Sequence, residues 1–546
     1  MSRGALFFIL LIIAIFNLCI FQNSALSFSS PDIPIHHWSY ESIEKLAMGG
    51  LVGLSGIDAK PMTRVQMAYT IKEAMDNIEE EKLPPHLSFD REYVEYLQNI
   101  LYKLIDEFRE ELVLIGASAA RVESEEDESP LKKYLNTHIG FPIETEQRFV
   151  SVKSRGDLLL ENENGLRLDK GYNLRTRVYP WVNMFNLFTF SARPALRLSE
   201  TGTEVFLDEA AAKFTLWNLE LSAGKSAMWW GPGYHGAMLI SNNAEPLTLA
   251  RARTVNHFRL PWVLKHIGSF GVNFFISKLE KDRVYPEPRL AGLRLEYSPL
   301  PCLSLAANRT DISGGRGRPK TRARDYWKIF YGAGRDEFST GQEIKRTDTD
   351  QLASFDLRFA APLPQAVPIA SGLEIYGEWA GEDRFSFWEN ESPGFLAGVF
   401  LTDIFKNKGT DIRVEYAKDK PAWYIHGIYN IDGSNLAYAY KDEIIGHHMG
   451  GDADDLFFRV SKEMPFLSTP YFDAVKAGVQ VDRERHGLSL GVQERMLEIA
   501  GDILWTHKGQ LAFSFGYEFE QYKNFAYVAG SGTRNHIVTA MIHVTF

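Results

Sequence analysis

The chain of 546 residues carries a net charge of −11 at pH 7, and it is too long for one ordinary core, so it should divide into domains. Its acidic balance excludes nucleic acid as a general partner, because phosphate binding needs a basic face. After the first thirty residues no apolar run reaches about 18 residues, which excludes transmembrane helices but not a β-barrel, whose lipid-facing residues alternate with polar ones.

The opening MSRGALFFILLIIAIFNLCIFQNSALSFSS has one cation at Arg3, an apolar run from Ala5 to Phe21 and small residues at Ser24 and Ala25. It reads as a secretory signal over residues 1–25, cleaved near Ala25. Phe16-Asn17-Leu18 lacks the small residue that lipid modification at Cys19 requires. Cleavage removes Cys19 and leaves Cys302 as the sole cysteine. No intrachain disulfide can then form, and stability has to come from burial or sheet closure.

Residues 30–80 read as two helices joined by a turn. In SYESIEKLAMGGLV, Ile43, Leu46 and Ala47 share one face and Gly49-Gly50 stops the helix. In PMTRVQMAYTIKEAMDNI, Thr63 with Gln66 three residues on forms a capping box, and Met67, Ile71, Ala74 and Ile78 form the buried stripe. The string from Asp32 through His37-Trp38 to Thr63-Arg64 resembles an S-layer homology (SLH) domain. That resemblance implies a module holding peptidoglycan or wall-linked glycan, with Asp32, Trp38, Thr63 and Arg64 as cell-wall-binding candidates. For Arg64 the residues leave two roles open: a charged hydrogen bond to an anionic polymer, or an exposed cation in an unfavourable first-turn position.

After Pro84-Pro85, residues 86–118 place Val94, Leu97, Leu101, Leu104 and Phe108 at spacings of 3 and 4. This is a heptad seam, and its roughly 25 residues would make a rod of about 38 Å. A helical stalk with a short coiled coil competes with a helix packed on its own domain. Residues 119–134, including RVESEEDESP, form an acidic linker.

From 135 to 546 the period changes to two. Leu293, Leu295 and Tyr297 alternate with Arg294 and Glu296; Ile412, Val414 and Tyr416 alternate with Arg413 and Glu415. Asn164-Gly165 marks a hairpin. Without crossover helices the sheet should be antiparallel. The last residues set Val538, Ala540, Ile542, Val544 and Phe546 on one face, which resembles the end signal read by the barrel-assembly machinery. The predicted fold is therefore mainly β: an antiparallel outer-membrane β-barrel of about 18 strands, preceded by the small α-helical SLH module and the stalk. Tyr179, Trp181, Trp379, Trp423 and Tyr424 fit interface girdles facing outer-membrane lipid.

Within the β region, MWWGPGYHGAMLISNNAEP joins two tryptophans to a Gly-Pro-Gly turn and an Asn pair. Trp229-Trp230-Gly231-Pro232-Gly233 and Ser241-Asn242-Asn243-Ala244 resemble the signature of the capsule-assembly Wzi family. The resemblance implies an outer-membrane barrel that binds capsular or other surface polysaccharide. Aromatic faces pack on sugar C–H surfaces and amides pair with hydroxyls, making Trp229, Trp230, Asn242 and Asn243 binding candidates. The same residues equally suit an internal plug. Arg316, Arg318 and Arg322 lie in a basic, Gly-rich loop able to grip carboxylates or phosphates.

His447, His448, Asp452, Asp454 and Asp455 are metal-compatible but lack a known ligand spacing, so no metal or cofactor is assigned. No catalytic motif such as G-x-S-x-G or H-E-x-x-H is present, so an enzyme is not expected. The sequence reading is a polysaccharide-binding barrel in the cell outer membrane, tethered through a periplasmic SLH domain. The alternative is a porin-like channel linking outer membrane to peptidoglycan.

Overall fold

The computed structural model describes residues 28–79, 91–117, 144–152, 158–319, 321, 349–382, 393–421, 423–425, 429, 431, 436–464, 474–507 and 511–545. The signal, the acidic linker, Arg322 and Phe546 lie outside them.

Twenty strand segments close into one antiparallel barrel. Two of them, Trp181–Met184 and Phe258–Arg259, continue the strands Gly171–Val178 and Leu247–Thr254 along a shared partner, so the wall has eighteen staves. Closure joins Glu144–Val152 to Gly532–Thr545, with Glu144 opposite Thr545 and Val152 opposite Ile537. A closed wall satisfies every strand edge, which a membrane requires.

Alternation alone leaves the direction of the apolar face open, and the burial pattern decides it. Arg294 and Glu296 point inward and are buried, while Leu295 between them is exposed. Arg413 and Glu415 are likewise buried around an exposed Val414. Phe190, Leu207, Phe355, Trp379, Val479 and Phe515 are further exposed apolar side chains on the wall. An apolar exterior around a charged interior is the inverse of a soluble core and the pattern of a membrane barrel.

That charged interior is filled by the chain itself. Four helices pack together, α1 (Ser39–Met48), α2 (Arg64–Glu79), α3 (Arg91–Glu107) and α4 (Arg109–Leu114), and α1 meets the wall strands Asp350–Pro362 and Gly372–Glu382. The capping box forms as the sequence predicts: Gln66 N donates to Thr63 Oγ1 at 3.1 Å and Thr63 N to Gln66 Oε1 at 2.8 Å. The heptad seam of α3 is buried at Leu97, Leu101 and Leu104, but against α1, α2 and the barrel residues Ala360 and Phe400. It therefore folds back as part of the module and extends no rod. Gly49 permits this approach, since a Cβ there would overlap Leu97 Cδ1.

The module sits at the end where strands are joined by short turns, such as those between Leu216 and Leu219 and between Leu300 and Leu303. Ser29 N donates to Asn186 O at 2.8 Å and Leu54 N to Pro301 O at 2.9 Å. The opposite end carries the long segment 227–246 and the connections that leave Ser313 and Lys418.

Candidate functional site

The Trp-Trp segment turns into the bore. Trp229 and Lys60 pair across a two-residue antiparallel ladder with Trp230 and Ala59, and Trp230 N donates to Ile240 O at 2.9 Å. Trp230 meets Phe275 edge to face, with ring centroids 5.2 Å apart. Exposure is 2% at Trp229, 0% at Trp230, and 2% at each of Asn242 and Asn243. These four residues, expected from the sequence as sugar contacts or as an internal plug, are placed as the plug.

Backbone amides hold the segment to the wall. Tyr234 N, His235 N and Gly236 N all donate to the Glu415 carboxylate, at 2.7, 3.0 and 3.0 Å. Three successive N–H groups around one anion make a nest, here closed by a carboxylate of the protein's own barrel. Tyr376 Oη donates to the same carboxylate at 2.8 Å. Met238 N donates to Glu378 Oε2 at 2.9 Å, and the Arg358 guanidinium donates to Pro232 O at 2.7 Å. The glycines follow from this crowding: a Cβ on Gly236 would overlap the His447 ring, and Gly231 stands at φ +141° beside Glu378.

Two other segments complete the plug. Asn164 and Gly165 form the predicted hairpin turn, both at positive φ, and donate to Asn242 O and Asn243 O at 2.7 and 2.9 Å. Ser241 N donates to Ile445 O at 2.8 Å and Asn243 Nδ2 to Ile444 O at 3.2 Å. Trp423 and Tyr424, expected in an interface girdle, are 0% and 1% exposed inside this cluster. Tyr179 also faces the interior, where its hydroxyl donates to Asp32 O at 3.2 Å. Trp379 alone of the five is an exposed wall residue. The aromatic residues were legible; their direction was set by loops that fold inward.

The SLH-like residues are engaged within the protein. Asp32 bridges to Thr63 along the backbone, and its carboxylate meets Lys213 at 2.5 Å, Arg253 at 3.1 Å and Arg251 at 3.2 Å. Burial works to raise that carboxyl, yet the three cations hold it well below the usual range. The Arg64 guanidinium pairs with Glu111 at 2.7 Å and Glu107 at 2.9 Å and lies over Phe108. Its charge is thus met inside the module.

On α1, Glu44 meets Arg413 at 2.8 Å and Arg358 at 3.2 Å, and Lys45 meets Asp411 and Glu463 at 2.8 Å each. Burial again acts to raise Glu44, but Arg413 and Arg358 outweigh it and bring it down to about 2. Trp38 is half-buried and borders a cavity of about 880 Å³ between module and wall, with His37, Tyr179, Arg193 and Lys476.

In the basic loop, Arg316 is exposed and pairs with Glu287 at 2.8 Å. Arg318 is buried instead, between the rings of Tyr285 and Tyr429. Val544 lies in the closing stave opposite Thr145 and Leu511. Sequence reasoning missed Glu378 and Glu415 as anchors of the plug, because nothing near either residue marks it as facing a loop about 140 to 180 positions away.

A charged bore filled from both ends, inside an apolar wall of eighteen antiparallel staves, defines an outer-membrane β-barrel occupied by its own chain. The chain belongs to the family described as capsule assembly protein Wzi, whose pattern matches residues 146–537. A Klebsiella pneumoniae protein, an uncharacterised 55.8 kDa product of the cps region, is 29% identical over 219 residues. That match covers 39% of this chain and 38% of the relative. The solved structure of Escherichia coli Wzi aligns with TM-score 0.62 at 15% identity, over 96% of this chain and 100% of that one. That protein is described as an outer membrane protein involved in group 1 capsule assembly and a carbohydrate-binding β-barrel.

Proposed function

We propose that this chain binds capsular or other surface polysaccharide at the outer face of the outer membrane, as a binding protein and not an enzyme. Membership of the capsule-assembly family supports the substrate class. The single structural observation that favours it over a porin is the occupied bore: helices enter from the short-turn end and the 227–246 segment from the other. Buried tryptophans and asparagines leave the glycan to the rim. There Arg316, Lys278 and Lys441 are exposed and Arg167 is half-buried, each beside a carboxylate at Glu287, Glu245 or Glu443. Such cations offer forked or point contacts to an anionic polymer.

Purified full-length protein in detergent, titrated with the native capsular polysaccharide, tests the reading. Arg316→Glu with Lys441→Glu should weaken binding about 10-fold, or about 1.4 kcal/mol, with folding unchanged by heat-modifiable gel migration. Equal binding by the double variant would remove the rim from the site. Single-channel conductance near zero is expected, and a large steady conductance would favour the porin reading. With Asp32, Thr63 and Arg64 engaged internally, a tether to peptidoglycan or wall-linked glycan rests on Trp38. Sacculus pull-down of the full chain that is unaffected by Trp38→Ala would end it.

A further inference from the structure

A cluster of histidines and carboxylates lies where the inward loops meet the wall. His235 comes from the Trp-Trp segment, His447 and His448 from the 442–452 connection, and Glu161 from the Asn164-Gly165 hairpin. Asp455 belongs to the stave Ala453–Glu463, and Asp482 and Glu484 to Ala474–His486. Ligand atoms of Glu161, His235, His448 and Asp482 all lie within 4.8 Å of one another, as do those of His448, Asp455, Asp482 and Glu484. His448 Nε2 stands 3.1 Å from Glu484, 3.4 Å from Asp455 and 3.5 Å from Glu161. His235 Nε2 stands 3.5 Å from Asp482 and 3.7 Å from Glu161.

Those atoms converge with one close contact among them, His448 Nε2 to Glu484. His235 Nε2, Asp455 Oδ1 and both oxygens of Asp482 are buried and make no hydrogen bond. Asp482 is 0% exposed. An unpaired buried carboxylate is among the costliest features a fold can hold. Among the described residues, the ion-pair partners of Glu161, Asp455 and Asp482 are histidines only. The next staves offer Glu498 and Glu520, which take neutral amides from Gln480 and Asn535. Glu484 also meets His486 at 2.7 Å, so four carboxylates and four histidines share the cluster, and Asp482 is left with only a 3.5 Å contact, to His235.

We propose that Glu161, His235, His448 and Asp482, with Asp455 and Glu484 beside them, hold a divalent first-row transition cation. Around such an ion, bonds of about 2.0 to 2.2 Å put neighbouring ligand atoms about 3 to 3.5 Å apart, close to the separations seen. Two imidazoles with carboxylates suit Zn²⁺, Co²⁺ or Mn²⁺ rather than the all-oxygen preference of Ca²⁺ or Mg²⁺. The Asn162 Nδ2 amide donates to His235 O at 2.7 Å and lies 3.2 Å from His448 Nδ1, so one side chain fixes both histidine-bearing segments beside the cluster. The ion ties three inward segments to two staves, so it staples the loop plug.

Untagged full-length protein in detergent, stripped with a chelator and titrated with Co²⁺, tests this. About one equivalent should bind, with visible d–d absorption that Zn²⁺ displaces, and binding should protect residues 229–243 from protease. The isosteric Asp482→Asn, and His235→Ala, should each lower affinity by more than the roughly 10- to 100-fold cost of losing an outer-shell partner. Heat-modifiable migration confirms that each variant is folded. Folded wild-type protein binding neither ion at about 100 μM would overturn the site, leaving the carboxylates to share protons. So would binding that both variants leave unchanged.

Discussion

The two fillings of the bore solve the same problem with opposite chemistry. At the short-turn end the helical module meets the wall through matched ions: Asp32 with three cations, Glu44 with two arginines and Lys45 with two carboxylates. At the other end the 227–246 segment brings few formal charges and meets wall carboxylates with backbone amides, at Glu415 and Glu378. A helix has already consumed its amides and must answer a charged wall with side chains. A Gly-rich loop keeps its amides free and can answer with the backbone itself. The same charged interior therefore selects a charged helix at one end and a small-residue loop at the other.

Arg358 is where the comparison breaks most completely, because it touches both fillings: Glu44 and Asp58 on one side and Pro232 O on the other. Arg358→Ala leaves Glu44, Asp58 and Glu374 facing a buried void. It should cost about 3–5 kcal/mol, seen as a lower melting temperature and protease sensitivity in both regions. Sensitivity confined to one region would mean that they are uncoupled.

Glu415→Gln separates the two. Losing the charge from a site that accepts three amides should cost about 1.5–3 kcal/mol. Hydrogen exchange should quicken at residues 234–236 and stay unchanged in α1, and unchanged protection at 234–236 would refute the amide anchor.

Acid should act on the helical end. A carboxyl held below its ordinary value adds stability that is complete above that value and lost as pH falls toward the folded one. For Glu44 the window runs from 4.5 to about 2, and Asp32 and Glu41 are shifted in the same direction. By pH 3 the Glu44 contribution should fall by roughly 1–2 kcal/mol, with exchange in α1 rising first. Glu44→Gln should flatten that dependence. An unaltered pH profile in this variant would assign the acid response elsewhere.

The smallest effect is expected inside the module. Arg64→Ala removes a partly exposed pair with Glu107 and Glu111 and should cost about 1 kcal/mol, loosening α3 and α4 without touching the loop plug. A loss above about 3 kcal/mol would show that Arg64 supports more than its two glutamates.

Local signals carried the sequence reading well. The capping box at Thr63 and Gln66, the turn at Asn164-Gly165 and the alternation of Leu295 with Arg294 and Glu296 each depend on residues within four positions of one another. The wall followed from the alternation, and its strand number from the length of the β region. What stayed hidden depends on distant partners. Trp230 is equally suited to a sugar or a core until Ala59 and Phe275 are seen against it. His235 and His448 share no spacing that sequence could read, and they meet only because two loops turn inward to the same wall carboxylates. The α3 seam was visible, but whether it met another chain or its own module was decided by Gly49 and the barrel residue Phe400.

The ion pairs of α1 also impose an order of events. Lys45 emerges early from the ribosome, yet its partner Glu463 follows 418 residues later, and Lys476 for Glu41 follows 435 later. Closing loops of that span is entropically costly and slow. Throughout synthesis and export the helices have no wall against which to neutralise, and water must solvate their charge. Docking belongs to the end of assembly, when the late staves arrive, and a half-built barrel is a wet, unsealed one until then.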